Sequence, residues 1–235
     1  MTLHSAVAID RAVSCFNPLR MTSDRKADVA DETLSAMQSI GQSVHFAREA
    51  TIFSEGDPAL YSYKVVSGTV RVCKMMSDGR RQIAEFVGKD EFFGFEWLDT
   101  YSLTAEALED VVVMRLPRAR LDRLSDERRD VQRRLMSLLS HDLHTAQNHL
   151  VLLGRQTAKE RVASFLLSLA ARSRATDGGT FDIPMCRQDI ADYLGLTIET
   201  VSRTLSQLER DDLIDLPTSR QIRLKDIDAL RDLNT

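Results

Sequence analysis

At 235 residues and a formal net charge of −4, the chain has room for two compact domains and a core that needs no staples. Its three cysteines, Cys15, Cys73 and Cys186, form no CxxC pair, which excludes a zinc ribbon or disulfide framework and fits a reducing cytoplasm. No basic segment followed by an apolar core opens the chain, and no apolar run approaches the ~20 residues that span a bilayer, so neither a secretory leader nor a membrane contact is expected.

In chain order, residues 1–30 lack sustained periodicity and read as a loosely ordered arm, in which Met21 is an alternative start. Leu34, Met37 and Ile40 then mark a short amphipathic helix over 31–40. From Val44 to Leu116 the pattern becomes short strands punctuated by Gly and Asp turns: Thr51–Phe53, Tyr61–Val66, Thr69–Met76, Gln82–Val87, Leu103–Leu108 and Val111–Leu116. Even spacing of that kind predicts an all-β barrel or jelly roll over 31–117.

Pro117 closes the barrel and can start a helix. Met136, Leu139, Leu143, Ala146, Leu150 and Leu153 follow alternating steps of three and four, a heptad seam on a long helix over 118–154. A narrow seam packs either on its own barrel or on a second copy of itself, and a homodimer is the expectation. Gly154 is the expected hinge to a third region, 155–235. There, a helix over Ala158–Arg172, a polar loop over Arg174–Thr180 and a short strand at Phe181–Pro184 precede the most informative stretch.

That stretch runs from Gln188 to Arg210. A short helical pattern (Gln188–Leu194) meets the turn Gly195-Leu196-Thr197, and a second helical pattern follows, which is the spacing of a helix-turn-helix. Val201, Leu205 and Leu208 form its apolar stripe, while Glu199, Ser202 and Arg203 share a polar face near the N-terminus. Arg donates two hydrogen bonds to guanine, Glu accepts from the cytosine amino group and Ser serves base or phosphate. Thr197 is the expected N-cap. Arg187, Gln188, Thr197, Ile198 and Thr200 flank these three and are expected at the DNA backbone. Leu213–Leu216 and Gln221–Leu224 read as a hairpin, the wing of a winged helix, with Arg220 and Arg223 suited to phosphates. The net charge does not contradict this reading. Residues 155–235 hold 12 Lys and Arg against 13 Asp and Glu, so specificity must come from direct base contacts and a pair of readers rather than a broad basic field.

The chain resembles the CRP/FNR superfamily of bacterial transcription regulators, and within it the FixK type. The resemblance spans roughly residues 45–230 and rests on Phe53-Ser54-Glu55-Gly56-Asp57, Ser67-Gly68-Thr69-Val70-Arg71, Asp78-Gly79-Arg80-Arg81-Gln82-Ile83, Phe92-Phe93-Gly94 and the helix-turn-helix. It implies an α+β chain: an N-terminal jelly roll of the cyclic-nucleotide-binding kind, a long dimerisation helix and a C-terminal winged helix. It also implies that Glu199, Ser202 and Arg203, the E-x-x-S-R pattern of FNR-like members, read a palindrome like TTGAT-N4-ATCAA. The implied partners are double-stranded DNA, a second copy of the chain and RNA polymerase, the last reached through the Arg174–Thr180 loop. The implied regulon is low-oxygen respiration, denitrification or nitrogen fixation, with activation as the main mode.

Departures from the family pattern bear on the ligand. Cyclic-AMP-binding relatives carry Gly-Glu after the Phe-Gly turn and Arg-Ser in the next strand. Here Phe95 follows Gly94, and Leu103-Thr104 stands at the later position, so no arginine there can neutralise a cyclic phosphate. Only Cys15 lies in the arm, whereas cluster ligation uses four thiolates. His45 and His141 are lone histidines and not evident haem ligands. The barrel is therefore expected to work without a cofactor, the alternative being a regulator whose barrel binds an unidentified effector. An enzymatic jelly roll needs clustered metal ligands, and the barrel region contains only His45.

Cys186 stands where Ser or Thr would cap the first helix of the reader. A helix N-terminus beside Arg187 is the environment of reactive cysteines. Oxidation to sulfinate there would place fixed negative charge close to the DNA backbone. Cys73, on a strand, is expected in the core.

Overall fold

The computed structural model describes residues 24–173 and 179–233. In order these are α1 (Asp24–Ser39), eight strands β1 (Gln42–Phe46), β2 (Thr51–Phe53), β3 (Tyr61–Ser67), β4 (Val70–Met75), β5 (Arg81–Val87), β6 (Phe92–Phe93), β7 (Thr104–Ala107) and β8 (Val111–Pro117), then α2 (Arg118–Glu127), α3 (Arg129–Arg155), α4 (Ala158–Ser173), β9 (Thr180–Asp182), α5 (Arg187–Leu194), α6 (Ile198–Arg210), β10 (Ile214–Thr218), β11 (Gln221–Leu224) and α7 (Ile227–Asp232).

The barrel is two antiparallel four-stranded sheets, ordered β1-β8-β3-β6 and β2-β7-β4-β5. Period-two alternation sends Val65, Val70, Val72, Ala105, Val111 and Val113 into one apolar interior. Phe53, Tyr63, Phe93 and Tyr101 stack at its mouth, with the Phe53 and Tyr101 rings 3.7 Å apart. Gly94, at φ +72°, sits against this stack; a Cβ there would lie 3.1 Å from the Tyr63 ring. Aromatic side chains thus fill the space beside the Phe-Gly turn.

The other face of β4 and β5 is not left to solvent. Cys73, Ile83, Phe86 and Leu108 pack into the same core as Val162, Phe165, Leu166, Ile190, Leu194 and Leu205 of the C-terminal region. Cys73 is buried, as expected for a core position, and burial pushes its thiol up to about 11. Barrel and reader therefore share a hydrophobic layer.

Several boundaries differ from expectation. The first helix begins at Asp24, not 31, because Arg25, Lys26, Ala27 and Ala30 favour a helix without supplying an apolar period. The rest of the expected arm, with Cys15 and Met21, lies outside the described residues. The helix after Pro117 is broken: Arg128 is extended (φ −127°, ψ 107°) and separates α2 from α3. Gly154 is not the hinge. It lies inside α3, which ends at Gln156 (ψ 145°), and α4 starts two residues later. A single Gly is tolerated near a helix end when the preceding turns are well formed. The strand β1 (Gln42–Phe46), the short strand Phe92–Phe93 and the terminal helix α7 are not among the expected elements; a two-residue strand carries no period to read.

The long helix α3 has two apolar stripes. Val131, Leu135, Leu138 and Leu152 pack on their own chain. On another stripe Met136, Leu143 and Leu150 are 60 %, 60 % and 70 % exposed, with Leu139 and Ala146 exposed between them. Leu153, the last expected seam residue, is half-buried, with its Cδ2 where a Cβ on Gly195 would approach to 3.3 Å.

Candidate nucleic-acid interface

The reader packs four helices, α4 to α7, with a three-stranded sheet, β10-β11-β9. Helix α6 is placed by its apolar stripe: Val201, Leu205 and Leu208 are 0 to 2 % exposed. Its register then fixes the opposite face, and Glu199, Ser202 and Arg203 all stand in solvent. Thr197 caps the helix as expected, its Oγ1 accepting the Thr200 N–H at 3.2 Å. Thr197 and Thr200 hydroxyls also lie 3.1 Å apart. Hydrogen bonds from its own backbone N–H and from Thr197 hold the Glu199 carboxyl below its ordinary pKa, so it is an acceptor at neutral pH. Among the described residues Arg203 is tethered only by a long 3.4 Å bond from Nε to the Glu199 carbonyl, which leaves its fork for another partner.

Gly195 (φ +61°) makes the turn between α5 and α6. Arg161 holds that turn from beneath, donating to the Leu194 and Leu153 carbonyls at 2.9 Å each. The angle between the two helices is thus tied to α3 and α4.

At the start of α5, Cys186 occupies the N-cap and is exposed. Its N–H donates to Asp189 Oδ2 at 3.0 Å. The adjacent Arg187 is half-buried, burial lowers its pKa, and no carboxylate among the described residues lies within ion-pairing distance of it. A part-desolvated guanidinium at a helix N-terminus is a ready partner for phosphate. Gln188 is exposed and its amide donates to Asp192 Oδ1 at 2.6 Å. Ile198 is partly exposed at the other helix start.

The wing is a hairpin of β10 and β11. Arg220 projects from its turn. Arg223 sits opposite Asp215 in the register and is ion-paired to it, so its charge is already shared within the wing. Glu199, Ser202, Arg203, Arg187, Gln188, Thr197, Ile198 and Thr200 therefore all lie on α5, α6 and the turn joining them, with Arg220 on the neighbouring wing. Of the Arg174–Thr180 loop, residues 174–178 lie outside the described residues.

Sequence reasoning missed one set of residues beside this surface. Asp189 is 2 % exposed, and its Oδ1 accepts from Arg81 Nη2 at 2.6 Å and Arg71 Nη1 at 3.1 Å. Arg81 Nε also donates to Asp192 Oδ2 at 2.9 Å. The Cys186-x-x-Asp189 spacing resembles a capping box and could have flagged the local half. The arginines lie more than a hundred residues away, beyond any local pattern. Among the described residues no group of three or more His, Cys, Asp or Glu side chains is placed to hold a metal ion, and no helix is long and apolar enough to cross a membrane.

Comparison with known proteins gives a consistent picture. Residues 43–128 match the cyclic nucleotide-binding domain, and residues 160–233 match the Crp-like helix-turn-helix domain. The nitrogen fixation regulation protein FixK of Azorhizobium caulinodans is 44 % identical over 212 residues, covering 89 % of this chain and 86 % of that protein. The protein of the same name from Bradyrhizobium diazoefficiens is 43 % identical over 179 residues, 75 % of this chain and 76 % of that one. Among solved structures, FixK2 from Bradyrhizobium japonicum superposes with a TM-score of 0.80 at 40 % identity, covering 83 % of this chain and 98 % of that chain.

Proposed function

The chain belongs to the CRP/FNR family of transcription regulators, a DNA-binding protein and not an enzyme, and from that premise we propose that it acts as a homodimeric activator reading a TTGAT-N4-ATCAA-like palindrome. Base contacts come from Glu199, Ser202 and Arg203. Arg187, Gln188, Thr197, Ile198, Thr200 and Arg220 hold the backbone, with Arg223 steadying the wing. The observation that carries this reading is the two-sidedness of α6: its stripe is sealed into the core while those three side chains stand together in solvent.

The exposed stripe Met136–Leu150 on α3 supports the second copy, since the helix already uses a different stripe to pack on its own chain. Two readers on one dimer face two half-sites related by the same symmetry. The barrel takes part without a bound effector, a reading supported by the stack of Phe53, Tyr63, Phe93 and Tyr101 beside Gly94. The names of the relatives point to nitrogen-fixation or low-oxygen genes as targets, and activation to contact with RNA polymerase.

Cys186 adds an off switch. Its thiol is exposed at the N-cap of α5, one residue from the half-buried Arg187. Peroxide converts the thiol to sulfinate, and the new charge repels the phosphates that Arg187 attracts. The reading is tested by gel-shift titration of effector-free protein against the palindrome and against versions with one or both half-sites altered, followed by transcription in vitro. Tight binding and activation with nothing added are expected. Binding that is indifferent to the half-site sequence would overturn the assignment of the base contacts.

A further inference from the structure

The reader is not merely strung after the dimerisation helix. Two arginines of the barrel grip its first helix. Period-two alternation on β4 turns Val70 and Val72 inward and Arg71 and Cys73 outward, yet Arg71 is 8 % exposed because α5 covers it. Its guanidinium donates to Glu106 Oε2 at 2.7 Å, Glu49 Oε2 at 2.9 Å and Asp189 Oδ1 at 3.1 Å. Arg81 on β5 reaches both Asp189 and Asp192. Two barrel arginines therefore meet two carboxylates one helical turn apart on α5.

Both carboxylates also touch the DNA-facing surface. Asp189 holds the Cys186 N–H through Oδ2, and Asp192 holds the Gln188 amide through Oδ1. Arg81 and Asp192, the outer half of the grip, line a cleft of about 1230 Å³ between the β4–β5 hairpin (Met75, Met76, Arg80) and the start of α6 (Ile198, Glu199, Thr200). Glu199, Ser202 and Arg203 remain exposed with the grip closed, so it does not mask the reader.

We propose that Arg71 and Arg81 are positioning residues: through Asp189 and Asp192 they splint the reader to the barrel and so fix the angle, and hence the spacing, at which the two readers of a dimer meet their half-sites. A carboxylate with almost no solvent needs close cations to stay charged, and charge-assisted hydrogen bonds are directional. Such a contact resists sliding where an apolar layer alone would tolerate it. A bivalent reader gains its affinity only when both heads engage at once. The proposal rests on the two-half-site reading above.

The experiment uses the full chain in four forms: wild type, Arg81→Glu, Arg81→Gln and Arg81→Glu combined with Asp192→Arg. Each is measured by small-angle scattering without DNA. Each is also titrated against the palindrome with its normal spacer and with a spacer lengthened by half a helical turn, about five base pairs. Wild type is expected to be compact and to prefer the normal spacer on the order of 100-fold. Arg81→Glu is expected to raise the radius of gyration and bring the two affinities close together. Arg81→Gln should lie between, and the reversed pair should bring both quantities part of the way back, since a carboxylate at position 81 still faces Asp189. Arg81→Gln carries the same test if Arg81→Glu unfolds. An unchanged radius and an unchanged spacer preference in Arg81→Glu, or no restoration by Asp192→Arg, would overturn the proposal. If wild type itself shows no preference for the palindrome, the half-site assignment fails, and the scattering comparison alone decides the splint.

Discussion

Arg81 and Asp189 stand 108 residues apart in the chain and meet at 2.6 Å. One belongs to a barrel strand, the other to the first helix of the reader. Arg71 joins them on the same oxygen atom. Burial opposes the Arg71 charge, but the hydrogen bond and charge of Glu106, with Asp189 and Glu49, outweigh it and raise its pKa. The Arg71 guanidinium therefore stays charged where barrel and reader meet.

The base contacts give the first prediction. Arg203→Ala removes the only cation of the exposed trio on α6. Each bidentate contact is worth about 1–3 kcal/mol of discrimination, and a dimer makes it twice. Specific affinity for the palindrome is expected to fall at least about tenfold, while sedimentation still shows the wild-type oligomer. Wild-type affinity in a gel-shift titration would remove Arg203 from the site.

Dimerisation should depend on the exposed stripe and not on the buried one. Leu143→Glu changes a side chain that touches solvent in the single chain, so the fold of each chain should survive. Facing carboxylates across a helix pair then repel. A monomer by sedimentation, with a circular dichroism spectrum like that of wild type, is the expected outcome. A Leu143→Glu dimer as tight as wild type would place the interface elsewhere.

Glu85 makes stability sensitive to pH. It lies on β5 near Asp142, Glu91 and Arg172; burial, then the charge of Asp142, push its carboxyl up to about 7, against the pull of Arg172. Below its ordinary value of 4.5 the group is protonated in the folded and unfolded chains alike. Between there and about 7 only the unfolded chain ionises, so its contribution to stability is lost as pH rises through that window. Glu85→Gln should raise the melting temperature at about pH 8, by roughly 1–2 kcal/mol of stability after solvent screening, and have little effect near pH 4. A gain of equal size at both pH values would mean that packing, not ionisation, is responsible.

Cys186 is tested by peroxide. Wild-type protein is expected to lose palindrome binding on oxidation, and Cys186→Ser, whose hydroxyl can still cap α5, should keep it. Equal losses in the two proteins would sink the switch. Cys73 is buried and its thiol is held in the protonated form, so it does not compete for the oxidant.

Much of this protein is legible as sequence because its decisive signals are local. The two stripes of α6 follow from a helical period, so Val201, Leu205 and Leu208 in the core already determine that Glu199, Ser202 and Arg203 face outward. Thr197 as cap and Gly195 as turn follow from backbone chemistry over a few residues. The seam Met136–Leu150 is a heptad. Where local signals were weak, the sequence misplaced the boundary: Gly154 was expected to bend the chain, but the helix runs through it, and Arg128, with no mark of a breaker, interrupts the helix instead.

What only the tertiary structure decided is where distant charges meet. Nothing local in the sequence pairs Asp189 and Asp192 with Arg71 and Arg81. Packing α5 on β4 and β5 removes water from between them, and the loss of solvent turns four ordinary surface charges into one junction. A period reports which way a side chain points, whereas which charge it meets depends on a fold that brings residues a hundred positions apart within hydrogen-bonding distance.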